Sequence, residues 1–309
     1  MKFLDVRTDF AFKKVFGSTD SKERLISFLN SIVYRDSGNK ITDLDIVDPY
    51  NIPKLKGMKD TYVDVKAILM DKTTVIIEMQ VLNHQGFETR ILYNAAKNYS
   101  MQLVKGERYD LLKPVIALNI VDFDMFNDNE ELINYFKMIN KKDFTDYHDD
   151  IELIFVELNK FTKKENECQT NFDKWLYFLK NAGDMNFIPQ DLPEPIKSAY
   201  SVSNEAGMNA EELELQHKKR EFIAINRGSL TLAKKQGMAE GMAEGMAEGI
   251  ELGVEQGIEQ GIEQGIEQGI EQNKLEMARQ MKKEGMDHFL ISKITGLLLE
   301  EIESLGKKG

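Results

Sequence analysis

The chain is expected to fold as a layered α/β domain. Residues 61–69 alternate apolar with polar side chains, and 73–82 are rich in β-branched residues, which predicts a β-hairpin turning at Asp71-Lys72. Residues 114–121 form an unbroken apolar run, as expected of a central strand buried on both faces. Amphipathic helical segments such as 86–104 separate the strands, and this order is typical of a layered domain and not of a helical bundle.

The remaining elements are predicted from the spacing of apolar residues. A period close to that of an α-helix predicts helices, and short apolar stretches predict strands. The predicted helices cover 8–16, 21–33, 172–179 and 184–236, and the predicted strands cover 41–47 and 151–158.

Composition restricts the class of protein. With 309 residues, 42% hydrophobic and 30% charged, the chain has the composition of a folded domain with appendages. The single cysteine, Cys168, excludes a disulfide framework and favours a reducing compartment, so a cytoplasmic location is expected. Four histidines without a close pair argue against a Cys/His zinc site. No stretch approaches the ~18 uncharged apolar residues of a membrane span, so no membrane partner is expected.

The acidic charge is concentrated in the C-terminal half. A formal net charge of −12 by itself argues against a nucleic-acid partner. Residues 1–120, however, carry 18 basic and 15 acidic side chains, a local net of +3, which leaves −15 for the rest. Residues 237–272 hold nine glutamates and no basic residue. The net charge therefore does not exclude DNA as a partner of the N-terminal part.

Residues 237–272 repeat a unit that changes from Gly-Met-Ala-Glu to Gly-Ile-Glu-Gln, with glycine at every fourth position from Gly237 to Gly269. Apolar residues four apart are rotated by about 40° on a helix, so their stripe winds slowly around it. Each glycine costs a helix about 1 kcal/mol relative to alanine. The segment is therefore interpreted either as a helix stabilised by self-association or as a flexible spacer.

The C-terminal residues predict a small helical module: a helix up to Glu284, a turn at Gly285, and helices over 287–295 and from Leu299. The pattern resembles a helix-turn-helix, but a helical cap or a dimerisation hairpin is favoured because the module is almost neutral. We expect self-association through 237–309. The predicted domain organisation has four parts: a core over 1–160, a helical extension over 161–236, the repeat over 237–272 and the module over 273–309.

Two acidic residues stand on the predicted hairpin. With a turn at residues 71–72, opposite positions sum to about 143, so Asp64 lies opposite residue 79 and within one residue of Glu78 and Gln80. Glu78 and Gln80 are two apart and share a face. Two adjacent carboxylates repel each other, and a divalent cation relieves this repulsion. The pattern leaves two interpretations open, a metal-assisted hydrolytic site and an ordinary solvated face.

A family resemblance starts from the same residues. Asp64, followed fourteen residues later by Glu78-Met79-Gln80, resembles the Asp…Glu-x-Lys signature of PD-(D/E)xK nucleases, with Gln in place of Lys. Flanking segments resemble the Rpn family of recombination-promoting nucleases, also described as PD-(D/E)xK transposases. These segments are Thr8–Gly17, Arg90–Tyr93 with Tyr99, Gly106 and Tyr109 after it, Lys174–Leu179, and the glycine repeat with Ile294–Leu297.

The resemblance implies a restriction-endonuclease-like core, with a central mixed sheet flanked by helices and a helical C-terminal extension. It further implies a metal-dependent DNA endonuclease associated with recombination, mobile elements or defence. Mg²⁺ or Mn²⁺ would be held by Asp64, Glu78 and the backbone carbonyl of Met79. Asp9 matches the position of an additional acidic residue in many such sites, while its place at a helix start also suits an N-cap.

Gln80 departs from the family pattern, because an amide can hydrogen-bond the attacking water but cannot carry charge. Lys66, Lys97 and Arg90 are candidates for a compensating cation. A catalytically inactive DNA-binding or assembly protein on the same fold, or an RNA nuclease, is the alternative. The candidate phosphate contacts on DNA, for which surface salt bridges are the other interpretation, are Lys13, Lys14, Lys66, Arg90 and Lys97.

Overall fold

A computed structural model of the chain describes residues 1–51 and 60–305. The strands are β1 (Leu44–Val47), β2 (Tyr50–Asn51), β3 (Thr61–Tyr62), β4 (Val65–Leu69), β5 (Thr74–Gln80), β6 (Val115–Val121), β7 (Ile133–Phe136) and β8 (Ile151–Glu157). The helices are α1 (Asp9–Phe16), α2 (Lys22–Ile32), α3 (Phe87–Ser100), α4 (Asn171–Asn181), α5 (Glu194–Val202), α6 (Ala210–Lys283), α7 (His288–Thr295) and α8 (Leu299–Ser304).

Six strands form one mixed sheet in the order β1-β4-β5-β6-β8-β7, and β2 pairs with β3 in a separate two-stranded ladder. β5, β6 and β8 are parallel, whereas β1, β4 and β7 join the sheet in antiparallel pairs. Gln80 pairs with Val121, and Val121 pairs with Glu157. The carboxyl ends of the three parallel strands therefore meet at one edge of the sheet, where sites in α/β proteins usually lie. The predicted fold class is confirmed.

The sheet is buried on both faces. Every residue of β6 is buried, which confirms the central strand predicted over 114–121. Alternate side chains of β6 enter two apolar layers: Leu118 belongs to the core formed with α1, α2, α4 and α5, and Ala117 to the core formed with α3. Trp175 lies fully buried in the first layer, where its ring contacts Phe16 and Phe28. These two layers fix the sheet between helices and hold its carboxyl edge in place.

The strands differ from the sequence prediction in several places. The strand predicted over 61–69 is divided between β3, which pairs with the unpredicted β2, and β4 of the main sheet. β1 begins at Leu44 and not at residue 41, because the Asn30 side chain bonds both the amide and the carbonyl of Ile41 at 2.8 Å. These two hydrogen bonds occupy the backbone N–H and C=O of Ile41, which a longer strand would use to pair with its neighbour. β7 was not predicted, since it has only four residues and two of its side chains, Tyr135 and Phe136, are exposed.

The chain divides into two compact units, residues 1–229 and 230–309. The repeat is helical, as part of α6, so the interpretation as a flexible spacer is wrong. In the second unit, α7 and α8 enclose a small core of Ile291, Leu297 and Ile302 with Ala278 of α6. The domain boundaries at 160, 236 and 272 stay a prediction. Of the helices within the described residues, none is both long enough and apolar enough to cross a membrane.

Candidate active site

Asp64 and Glu78 lie side by side at the start of β4 and the end of β5. Val65 pairs with Ile77, so opposite positions sum to 142 and Asp64 is the neighbour of Glu78. The predicted sum of about 143 is wrong by one residue because the hairpin loop has three residues, 70–72, and not two. Lys72 closes this loop in the left-handed conformation at φ 70°, as in common three-residue hairpins.

Asp64 is held by the backbone of the opposite strand and by a helix. Its Oδ2 accepts a hydrogen bond of 2.8 Å from the Met79 amide, and its Oδ1 lies 3.3 Å from the Lys13 Nζ of α1. Burial raises the pKa of Asp64, while the Met79 amide and the Lys13 charge oppose that rise. The carboxylate is therefore desolvated but fixed in one orientation by two donors.

Glu78 is 8% exposed and pairs with Arg90 of α3, whose Nη2 lies 2.8 Å from Oε1. Burial raises the pKa of Glu78 to about 7; the Arg90 charge opposes the rise, and the neighbouring Asp64 adds to it. At neutral pH this carboxyl is thus close to half protonated. A cation placed between Asp64 and Glu78 would favour the ionised form of both.

Gln80 occupies the position of the motif lysine and binds Arg90. Its Oε1 accepts a hydrogen bond of 3.2 Å from Arg90 Nη2, and its Nε2 donates one of 2.9 Å to the Leu82 carbonyl. Because Glu78 and Gln80 lie two residues apart on one face of β5, a single guanidinium reaches both side chains. Arg90, which contacts both Gln80 and Glu78, is therefore the candidate for the positive charge that Gln80 itself cannot carry.

Asp9 is the first residue of α1, and the N-cap is Thr8, whose side chain accepts from the Ala11 amide. The interpretation of Asp9 as the cap is therefore wrong. Its carboxylate forms an ion pair of 3.1 Å with Lys219 of α6 and is close enough to contribute to the raised pKa of Asp64. The Asp9 charge thus acts on Asp64, and it is itself paired with Lys219.

The five candidate phosphate contacts differ in surroundings. The side chains of Lys13 and Arg90 are 43% and 39% exposed while they contact the acidic pair. Lys14 forms an ion pair of 2.5 Å with Glu212 of α6. Lys66 is half-buried on β4, where burial lowers its pKa, and Lys97 is buried on α3. Exposure thus favours Lys13 and Arg90 as phosphate contacts.

Two site residues were missed from the sequence. Asn119 of β6 pairs in register with Glu78 and is buried, with its amide donating to the carbonyls of Ala117 and Ile154. The available signal was a lone polar residue inside an apolar strand. Lys219 was missed because it stands 210 residues from Asp9 in the sequence, and no local pattern links the two.

Within residues 1–51 and 60–305, no three His, Cys, Asp or Glu side chains cluster closely enough to hold a metal ion by themselves. The site therefore offers two carboxylates and a backbone carbonyl. The N–H and C=O of one residue in a strand point to the same side, so the Met79 carbonyl faces the same edge of β5 as the amide that bonds Asp64.

A mixed sheet with an aspartate at the start of one strand and Glu-x-Gln at the end of the next defines the class of PD-(D/E)xK nuclease-like proteins. Comparison with known families agrees: residues 6–226 match the family described as PD-(D/E)XK nuclease family transposase. The chain belongs to that family, which confirms the resemblance and supports a nuclease- or transposase-related function. No curated protein and no solved structure matched the chain.

Proposed function

We propose that the protein is a metal-dependent DNA endonuclease that hydrolyses phosphodiester bonds in recombination, mobile-element movement or defence. The observation that carries the proposal is the pair of largely buried carboxylates, Asp64 and Glu78, at the carboxyl edge of the sheet of a nuclease-family chain. An ordinary solvated face, the other interpretation of this pair, is not supported by side chains that are only 12% and 10% exposed.

The donor set fits a small, hard divalent cation. Asp64 and Glu78 would supply carboxylate oxygens and Met79 its carbonyl, and Mg²⁺ commonly takes one or two carboxylates with waters and phosphate oxygens in the other positions. Mn²⁺ accepts the same ligands. When bound, such an ion stabilises charge on the phosphate and lowers the pKa of a water ligand.

The other side chains of the site act on charge and orientation. Lys13 and Arg90 each pair with one of the two carboxylates, and both would offset the negative charge that develops on the reacting phosphate. Gln80 orients Arg90 through its Oε1. Arg90 would thereby supply the positive charge that lysine gives in the usual motif, and so Gln80 is compatible with catalysis.

The test is nicking of supercoiled plasmid by the full-length protein with Mg²⁺, with Mn²⁺ and with a chelator. We expect nicking with either metal, none with the chelator, and a loss of at least about a hundredfold in Asp64→Asn and in Glu78→Gln. The matched control is Glu88→Gln, an exposed carboxylate on the same helix as Arg90, which should cleave at the wild-type rate.

The alternatives give different results in the same assay. DNA binding without nicking under every metal would identify a catalytically inactive binding or assembly protein and overturn the proposal. Faster cleavage of an RNA of the same sequence than of the DNA would identify an RNA nuclease.

Self-association through residues 237–309 completes the proposal. The apolar side chains of the repeat lie on the surface of α6, each more than half exposed, from Met238 at 67% to Ile270 at 52%. A stripe of this length is unfavourable in water unless another apolar surface covers it. A second copy of the same helix offers such a surface.

A further inference from the structure

Two tyrosines stack on the small ladder of β2 and β3, which directly precedes Asp64 in the sequence. Tyr50 and Tyr62 are opposite each other in this ladder, with ring centroids 4.3 Å apart and planes inclined by 18°. Tyr62 is nevertheless 62% exposed. Its ring therefore rests on Tyr50 with one face and presents much of the remainder to solvent.

The pair is held in place by its surroundings. The Tyr50 hydroxyl donates a hydrogen bond of 2.8 Å to Asp60, and its amide donates one of 2.9 Å to Asp48. Next to Tyr62, the side chain of Val63 is buried in the core under α3, and its amide bonds the Pro49 carbonyl. An exposed ring fixed in this way loses little conformational entropy when a flat ligand stacks on it.

The position of Tyr62 relates it to the site. It precedes Asp64 by two residues, so the two Cα atoms are at most about 7 Å apart. Successive nucleotides are separated by a similar distance along a nucleic-acid strand. A base next to a phosphate at Asp64 and Glu78 would consequently come within reach of the Tyr62 ring.

From this arrangement we infer that Tyr62, supported by Tyr50, is a stacking platform for an unpaired DNA base next to the bond that is cut. The inference rests on the proposed function and names its substrate class: DNA with an unpaired base at the cleavage position. In a continuous duplex the faces of the bases are covered by their neighbours, whereas an unpaired base offers its face to an aromatic side chain.

The experiment measures binding by the full-length protein in a chelator, so that no cleavage occurs. The probes are a fluorescently labelled single-stranded DNA oligonucleotide and its blunt duplex, followed by anisotropy. Tyr62→Leu should weaken single-strand binding by about tenfold and duplex binding by much less. Tyr62→Phe should bind as wild type and Tyr62→Trp at least as tightly, because both keep an aromatic face.

The matched control is Tyr109→Leu, which removes a tyrosine that is 84% exposed and precedes the amino end of β6. It should bind both probes as wild type does. Thermal unfolding of each variant establishes that the protein is folded, and Tyr62→Thr, a β-branched residue suited to an exposed strand position, is the second non-aromatic variant with the same expected loss.

Equal single-strand affinity of wild type and folded Tyr62→Leu would overturn the inference, as would an equal loss on both probes. Plasmid nicking by the wild type separates this failure from that of the proposed function. If the wild type nicks plasmid and binding does not depend on Tyr62, the proposed endonuclease activity is supported and the stacking platform is overturned. If the protein neither binds nor nicks DNA, both the proposed function and the stacking platform are overturned.

Discussion

The balance of charge around Asp64 and Glu78 explains why two acidic groups are tolerated in a buried position. Each carboxylate contacts one cation, Lys13 for Asp64 and Arg90 for Glu78, yet burial still raises the pKa of both acids. Desolvation thus outweighs the attraction of the partners. Such a site favours either a proton or a bound cation, which is the property that a metal-dependent hydrolase needs.

The raised pKa of Glu78 predicts how stability depends on pH in the metal-free protein. Between its ordinary pKa and about 7, Glu78 is ionised in the unfolded chain but protonated in the folded one, so stability falls as pH rises through this window and is level above it. Glu78→Gln lacks the ionisation. Relative to wild type, the variant should therefore gain up to about 3 kcal/mol between pH 5 and pH 8.

The measurement is urea unfolding in a chelator at both pH values. Glu88→Gln serves as the control and should follow wild type at each pH, because Glu88 is exposed. A constant difference between Glu78→Gln and wild type would contradict the assignment of a raised pKa to Glu78.

Gln80 gives a second prediction at the level of the residue. Gln80→Lys restores the lysine of the family signature, but here it removes the acceptor for Arg90 and places a second positive charge next to that guanidinium. We expect the variant to lose about 1–2 kcal/mol of stability and to nick plasmid more slowly than wild type. Gln80→Glu, which keeps an acceptor for Arg90, is the comparison.

Faster nicking by Gln80→Lys would show that the site lacks a cation in the wild type and would contradict the role given to Arg90. The stability measurement stands on its own, since it requires no activity.

At the scale of the elements, the sequence was informative where the pattern is local. The alternation over 61–82 predicted the hairpin, and the turn expected at Asp71-Lys72 placed Asp64 within one residue of its true partner. The remaining error of one residue in the register came from the hairpin loop. Lys72 adopts a left-handed conformation there, and a glycine or asparagine at this position would have indicated it, whereas a lysine does not. β-Branched residues and apolar runs thus predict strands, but the closing turn determines which residues face each other.

Contacts between elements that are distant in the sequence were harder to predict from the sequence. Arg90 was among three basic candidates, and its contacts with Glu78 and Gln80 depend on the packing of α3 against the sheet, which no local pattern shows. The stacked tyrosines had no sequence signal beyond two aromatic residues, because their contact depends on the pairing of β2 with β3. What the sequence could not supply is the three-dimensional neighbour of each charge.

At the scale of the whole molecule, the first unit is tied together across its length by α6. The part of this helix before residue 230 carries Glu212, Lys219 and Arg227, which pair with Lys14, Asp9 and Asp122. Asp122 follows the end of β6 and is almost fully buried, so the helix is attached at the same sheet edge as the acidic pair. The start of α6 therefore belongs structurally to the nuclease fold.

The repeat within α6 has a different surface and leads to the last prediction. Its glycines have no neighbouring atom within 4 Å of an added Cβ, so the backbone is open to close approach by another helix. In the units from Gly257 onward, the glutamate is rotated by about 200° from the glycine, and so carboxylates point away from a contact made through the glycine side. Repulsion among the nine glutamates is thereby reduced without any basic partner.

The expected outcome is self-association of the full-length protein, measured as mass by light scattering. Changing Ile258, Ile262 and Ile266 to Gln should lower the mass toward the monomer, because these side chains are each 58% exposed and form the apolar stripe. The matched control changes Glu259, Glu263 and Glu267 to Gln, about 200° around the helix from the glycines, and should not lower the mass. A monomeric wild type at every concentration would contradict the prediction.

The apolar stripe of the repeat turns by about 40° per unit of four residues, and hence by a full turn in about 36 residues. Two straight helices therefore cannot contact each other through this stripe along its whole length. Association through this stripe therefore requires either helices that wind around each other with a right-handed twist or more than two copies, and the measured mass distinguishes a dimer from a larger assembly.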